Sequence, residues 1–433
     1  MTIRILPQIT VTLENCRRTA QKVRRYAMIG SAEQEAQVSR IAADVKRRGD
    51  TAIIDYTRKF DRARLTKRQL RVSQDELVKA TKHVNRKVAN ALRFSLQRLS
   101  IAQMELLSKL NFSVQIDGFT LRLTPKPLTS VGCYVPGGRA VYPSTVVMTA
   151  GLARLAGVER IVVCTPPNSM GCVNDAILAA SELCGVDEVY RCGGAQAIAA
   201  LTYGTKIIPK VDKIVGPGGN YVALAKRHVA RDIATDFAGP TEMTVAVDET
   251  SNARLAAWDL VAQAEHGEDC LVNLVAVSKN IASDVREEIN RILPSVARRN
   301  FVEASLRRGV TAICQDWQTA CNFINELGPE HLELLTENRR QLAETIKSAG
   351  LILLGEFAPA AGSDYCIGTD HVLPTSGFAV NHSGLSILDF LKLTWTVEGT
   401  REGLRAILDP LKAMALTEGL PNHYLSVKAR FRE

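Results

Sequence analysis

Between residues 31 and 48, Ala36, Val38, Ile41, Ala42 and Val45 recur at near-helical spacing, and Gly49 follows a basic last turn. That spacing puts one apolar stripe on a helix, and a glycine just past it marks the helix end. A second helical tract is predicted over 73–110, with Asp75 and Glu76 near its start and Lys109 near its end. This is the charge order that a helix dipole favours. The first quarter of the chain should therefore be largely helical.

From Val131 the texture changes. Short β-branched runs at 160–164, 188–190 and 213–215 end in Gly or Pro clusters and alternate with Ala-rich segments. Strands alternating with helices predict a parallel α/β layer. A strand at 244–247, a helix over 252–266 and a strand at 272–277 begin a second α/β unit, and 350–354 has the pattern of a buried strand. Beyond Asp364 the chain is expected to be loop-rich until a polar, helix-like end from Thr400. No internal repeat or low-complexity linker interrupts it.

Composition narrows the class. The 433 residues are 46% hydrophobic and 23% charged, the balance of a folded chain of two or three domains rather than a disordered or fibrous one. No apolar run approaches the 18 or more residues of a spanning helix, and the first residues lack the pattern of a secretion signal. The expectation is a cytoplasmic protein with no membrane partner. Ten cysteines lie scattered without a Cys-x-x-Cys pair, which suits buried thiols in a reducing compartment.

Charge is uneven. Residues 1–110 hold 24 basic against 10 acidic side chains, so the rest of a +9 chain is net acidic. A nucleic-acid-binding or scaffold role is one reading of that excess. The basic residues alternate with helix-period apolar positions, however, and few aromatics are interleaved for base stacking. A solvated helix surface or subunit interface fits better, and no nucleic-acid partner is expected.

Three glycine turns follow predicted strands: Tyr134 to Gly138, Cys192 to Gln196, and Gly216-Pro217-Gly218-Gly219-Asn220. Singly they are ordinary strand-to-helix punctuation. Together they suggest one nucleotide or phosphate crevice at the strands' carboxyl ends. Neither Gly-x-Gly-x-x-Gly nor a Walker loop is present, which disfavours nucleotide hydrolysis and leaves a redox dinucleotide open.

Proton and metal chemistry has four candidate places. Gln263 and His266 lie three apart on the predicted helix 252–266, so both could reach one ion. Gly328 and Pro329 enforce a turn that presents Glu330 and His331, an adjacent carboxylate and imidazole suited to proton transfer. The stretch 362–377 carries Asp364 and His371 among turn-forming residues, and Glu418 and His423 stand near the C-terminus. Gln, Asp and two His would offer the N and O donors that zinc takes and that manganese or cobalt tolerate. Each place has a plainer reading as a polar helix face, a helix start or an exposed tail.

Taken in order, VPGGRAVYPSTV, GGAQAIAAL, QAEHG, GPEHLEL, GTDHVLPTSG and EGLPNH give the chain its likeness. It resembles the histidinol dehydrogenase family from about residue 30 to the end. The resemblance implies an α/β protein of two Rossmann-like domains, incomplete and built on parallel sheets, with small N- and C-terminal segments used in dimerisation. It implies an arm at 1–24, a larger domain from 25–130 plus 238–381 carrying metal and catalytic residues, an NAD-binding domain at 131–237, and a dimerisation segment at 382–433.

By the same resemblance, the activity is NAD-dependent four-electron oxidation of L-histidinol to L-histidine, the last step of histidine biosynthesis, in a homodimer with shared active sites. The zinc ligands, one ion per subunit, would be Gln263, His266, Asp364 and His423, the last from the partner subunit. His331 matches the proton-transferring base and Glu330 the group that activates water. Substrate contacts fall on Thr241, His371 and Glu418, together with Gln263, His266, His331, Asp364 and His423.

Tyr134 and Gln196 match positions that contact NAD. Gly219 stands where relatives have an asparagine, with Asn220 next to it as a substitute. Thr241 replaces a frequent serine, and Asp370 and Val380 stand where relatives often carry Asn and Arg. A relative acting on another small alcohol, for example a sulfonated diol, is the nearest alternative.

Overall fold

The structure is a computed structural model that describes residues 5–27, 30–138 and 140–431. In chain order, β1 (Gln8–Val11) comes first, followed by β2 (Phe112–Ile116) and β3 (Phe119–Pro127). Next come β4 (Ser130–Tyr134), β5 (Arg160–Thr165), β6 (Glu188–Arg191), β7 (Lys213–Val215) and β8 (Ala234–Thr235). Then follow β9 (Glu242–Val247), β10 (Leu271–Ala276), β11 (Thr311–Cys314), β12 (His331–Leu335), β13 (Leu351–Leu354) and β14 (Leu391–Gly399).

Two of the three sheets are parallel. The first has the order β1-β11-β10-β9-β12-β13, and the second β6-β5-β4-β7-β8. Every strand expected from a short apolar run is present, its ends within two residues of those anticipated. These runs are continuous rather than alternating because both faces of a parallel sheet are covered. In β9, Met243, Val245 and Val247 face one apolar layer while Ala246 faces the other, as the two-residue period of a strand requires.

Packing groups the segments differently from the expected division. The helices Ala32–Arg48 and Asp50–Phe60 bury Val38, Ile41, Val45 and Ile53 in the apolar layer on one side of the second sheet, packed on the helix Gly194–Tyr203. The helices Gln74–His83 and Arg86–Ser108 bury Leu77, Leu92 and Leu99 in the layer on its other side, packed on the helix Asp175–Leu183. Residues 32–108 thus belong with 131–237, not with 238–381. The physical reason is coverage, since the helices beside the sheet are apolar on their outer faces too, and amphipathic helices from earlier in the chain close those faces.

Nor is the N-terminal segment a free arm. β1 forms the edge of the first sheet, and the helix Cys16–Ala27 packs Cys16, Ala20 and Val23 on that sheet.

Other expectations need smaller corrections. The tract over 73–110 is two helices, because Val84 is extended and Asn85 caps the second by accepting from the Lys87 amide. Beyond Asp364 the chain is less loop-rich than anticipated. Asp364 itself lies on the short helix Ala360–Tyr365, and β14 pairs antiparallel with β3 along its whole length. From Thr400 the helices Arg401–Ala406, Leu408–Thr417 and Pro421–Lys428 match the expected helical end.

Candidate active site

The two parallel sheets meet at a cleft of about 640 Å³ and present opposite ends to it. The first sheet offers the amino ends of its strands: Thr241 precedes β9, Cys270 precedes β10, and Glu330 and His331 open β12. The second offers carboxyl ends, with Pro136 and Gly137 after β4 and Pro217 to Asn220 after β7.

Glu330 and His331 reach the cleft as the sequence suggested. The helix Trp317–Leu327 stops at Gly328 in the left-handed conformation, Pro329 and Glu330 follow, and His331 begins the strand. Both side chains are buried, and His331 Nδ1 lies 3.5 Å from Glu330 Oε2.

A directed hydrogen-bond chain orients the carboxylate. Gln263 Nε2 donates to Thr241 Oγ1 at 2.7 Å, and Thr241 Oγ1 donates to Glu330 Oε2 at 2.5 Å. The Glu242 amide donates to the same oxygen at 2.6 Å. The hydroxyl is what this chain needs at residue 241, so threonine serves where serine would.

On the other side, His331 Nε2 lies 3.4 Å from Asp364 Oδ1. Burial opposes a charge on His331, but Glu330 and then Asp364 outweigh it and lift its pKa to about 10. The two carboxylates therefore stabilise the imidazolium that the ring becomes when it holds a proton. Burial would raise the Asp364 carboxyl, yet the hydrogen bond and charge of His331, with His371 and His266 adding, hold it below its ordinary value.

His371 is fixed at both nitrogens. Its Nδ1 donates to the Asp364 carbonyl at 2.8 Å, and its Nε2 lies 3.2 Å from Thr145 Oγ1. Burial holds its pKa below the usual value, so the neutral ring accepts from the threonine. With both nitrogens engaged within the protein, His371 is not placed as a metal ligand.

Gln263, His266 and Asp364 line the same cleft. Gln263 ends the helix Ala253–Ala264 and His266 lies in the turn beyond it, stacked against Tyr142 with ring centroids 6.4 Å apart. An amide, an imidazole and a carboxylate on one wall are a donor set that fits a zinc ion. Among the described residues no group of three or more His, Cys, Asp or Glu is arranged to hold a metal. Glu418 and His423 are exposed on the terminal helices, and neither lines the cleft.

On the second sheet's side, Gly219 and Asn220 border the cleft at the start of the helix Asn220–Val229. A Cβ at Gly219 would meet open space, so neither packing nor backbone demands glycine there. Tyr134 and Gln196 are buried and do not line the cleft. The Tyr134 hydroxyl accepts from the Gly194 amide at 3.0 Å, and the buried Gln196 Oε1 has no hydrogen-bond partner. That orphaned acceptor and the glycine turns fit a dinucleotide better than they fit a sealed core.

Sequence reasoning missed Thr145, Tyr142 and Glu242. The first two lie inside the quoted VPGGRAVYPSTV, whose polar residues were the available signal. Glu242 is buried, and burial, with the Glu330 charge adding, pushes its carboxyl up to about 8. Nothing local marks it, because it sits in an apolar strand.

An acid–base pair on one wall and phosphate-suited glycine turns on the other are the layout of an α/β enzyme. Comparison with known proteins then gives the particular family. The family model described as histidinol dehydrogenase matches residues 25–431. A histidinol dehydrogenase of Methanosarcina mazei is 40% identical over 405 residues, 93% of each chain. That of Methanothermobacter thermautotrophicus is 40% identical over 98% of this chain and 99% of its own. The crystal structure of the Elizabethkingia anophelis histidinol dehydrogenase superposes with a TM-score of 0.91 at 33% identity, covering 98% of both chains. The chain belongs to the histidinol dehydrogenase family and is an oxidoreductase.

Proposed function

We propose that the chain oxidises L-histidinol to L-histidine in two successive steps at one site, as the last reaction of histidine biosynthesis in the cytoplasm. The observation that carries the reading is the continuous set Gln263, Thr241, Glu330, His331 and Asp364, linked by contacts of 2.5–3.5 Å on the wall facing the glycine turns.

His331 takes the proton of the carbinol hydroxyl in the first oxidation. Glu330, its Oε2 held by Thr241 and the Glu242 amide, takes a proton from the water that adds to the aldehyde. Tyr134, Gln196 and Gly219 or Asn220 would hold NAD⁺ along the glycine turns, where it would supply a hydride acceptor for both steps. Gln263, His266, Asp364 and His423 of the partner subunit would hold a zinc ion, which would supply a fixed anchor for the substrate. His371 and the tail's Glu418 make further substrate contacts, and a buried site keeps the aldehyde from escaping.

A homodimer with shared sites is supported by the exposed apolar residues of the terminal helices and β14, among them Trp395, Val397, Met414 and Leu425. Exposed apolar patches mark interfaces. No described helix is long and apolar enough to cross a membrane.

The test is direct. Purified protein with L-histidinol, NAD⁺ and added Zn²⁺ should form two NADH per histidinol consumed, followed by absorbance, with histidine as the product. One NADH per histidinol would show that oxidation stops at the aldehyde, and reaction only with a sulfonated diol would show that a different alcohol is the substrate; either result overturns the reading.

A further inference from the structure

Lys226 lies on the helix Asn220–Val229, is 1% exposed, and takes no part in the chemistry above. Its ammonium donates to three acceptors: the Gly216 carbonyl at 2.9 Å, the Ala238 carbonyl at 3.0 Å, and Asp236 Oδ1 in a short ion pair. Asp236 Oδ2 in turn accepts from the Gly216 amide at 2.6 Å. All three ammonium protons are used, and both backbone groups of Gly216 are gripped.

Those two backbone segments have different destinations. Gly216 opens the glycine turn after β7, at φ +117° and so close to β4 that a Cβ would stand 2.2 Å from the Tyr134 carbonyl oxygen. Residues 236–241 are the crossover from the second sheet to the first, ending at Thr241. That crossover is tied onward, since the Gly239 amide donates to Thr375 Oγ1 at 3.0 Å and the Thr375 amide to the Phe237 carbonyl at 3.3 Å. A buried ion pair is weak evidence for stability, because desolvation offsets the attraction. Its information lies in what it fixes.

We infer that Lys226 and Asp236 are positioning residues that lock the glycine turn after β7 to the crossover presenting Thr241, so that the two walls of the cleft keep one spacing. Hydride transfer needs reacting atoms held within a few tenths of an ångström, and this pair spans the two walls' backbones without touching the reactants. The kinetic consequence rests on the proposed dehydrogenase reading, whereas the mechanical one does not.

The experiment uses the full chain with Asp236→Asn, which keeps the shape but cannot accept from both Lys226 and the Gly216 amide. Hydrogen exchange should speed up by about tenfold or more in 213–220 and 236–241 together, with the first sheet unchanged. NADH affinity, read by fluorescence titration, should fall about tenfold while KM for histidinol stays within about twofold.

Lys226→Met should give the same pattern more strongly, and Asp236→Asn decides the matter if that variant does not fold. Faster exchange in only one segment or in neither, or equal shifts in both substrates' constants, would overturn the inference. If the unaltered protein forms no NADH from histidinol, the functional reading fails, while the exchange result still decides the lock.

Discussion

The two parallel sheets face one cleft from opposite ends, and their chemistry differs accordingly. At the second sheet's carboxyl ends the chain passes from strand to helix start, so the cleft meets backbone amides and the positive end of a helix dipole, as at Asn220. Such a wall suits anions and needs glycine more than side chains. At the first sheet's amino ends the chain arrives from helix ends, as at Gly328 before Glu330 and at Ala264 before His266. That wall suits cations and proton carriers, and it is built from Gln, Asp, Glu and His. One fold thus presents an anion-suited wall and a cation-suited wall with the two ends of the same strand–helix unit.

Breaking the acid–base wall should have the largest effect. His331→Asn should lower kcat about a hundredfold or more, the usual cost of losing a positioned acid or base, with melting temperature and zinc content retained. Unchanged turnover would remove His331 from the chemistry.

The tail comes next. His423→Asn should lose zinc on dialysis and most of its activity. Mixing it with His331→Asn subunits should restore about a quarter of wild-type activity, because a two-fold dimer with shared sites regains one intact site per mixed pair. No restoration on mixing would place His423 in its own subunit's site. On the anion-suited wall the effect should be smaller. Asn220→Ala should raise KM for NAD⁺ about fivefold and leave KM for histidinol unchanged, and the reverse pattern would move the cofactor away from this turn.

What the sequence disclosed follows from what is local. The helix over 31–48 was legible because its apolar stripe, its Ser31 cap and Gly49 are all contiguous. Glu330 and His331 were legible because a Gly-Pro turn sets them off. β2 was not, since all five of its residues are exposed and no face is marked by burial. The Asp117-Gly118 pair, both at positive φ, was the overlooked hairpin signal. That Thr145 would meet His371, or that residues 32–108 would pack on the helices flanking the second sheet, depends on contacts between distant segments that no local pattern encodes. The metal and cofactor positions came from resemblance rather than from spacing.

The finest contrast between the two walls concerns pH. Behind the acid–base wall, Glu333 on β12 is buried, and its Oε1 accepts from the Ala360 amide at 2.6 Å, at the start of the helix that carries Asp364. Burial pushes the Glu333 carboxyl up to about 9, with the carboxylate of Asp259, on the helix that carries Gln263, adding to the shift. A carboxyl whose folded pKa lies above its unfolded value of about 4.3 binds more protons in the native state between the two, so native stability falls as pH rises through that window. The slope for one such group is at most about 1.4 kcal/mol per pH unit. Glu333→Gln keeps the acceptor and removes the titration, so its melting temperature should fall less between pH 6 and pH 9 than that of the unaltered protein. Parallel curves would mean that Glu333 is ionised in the folded chain.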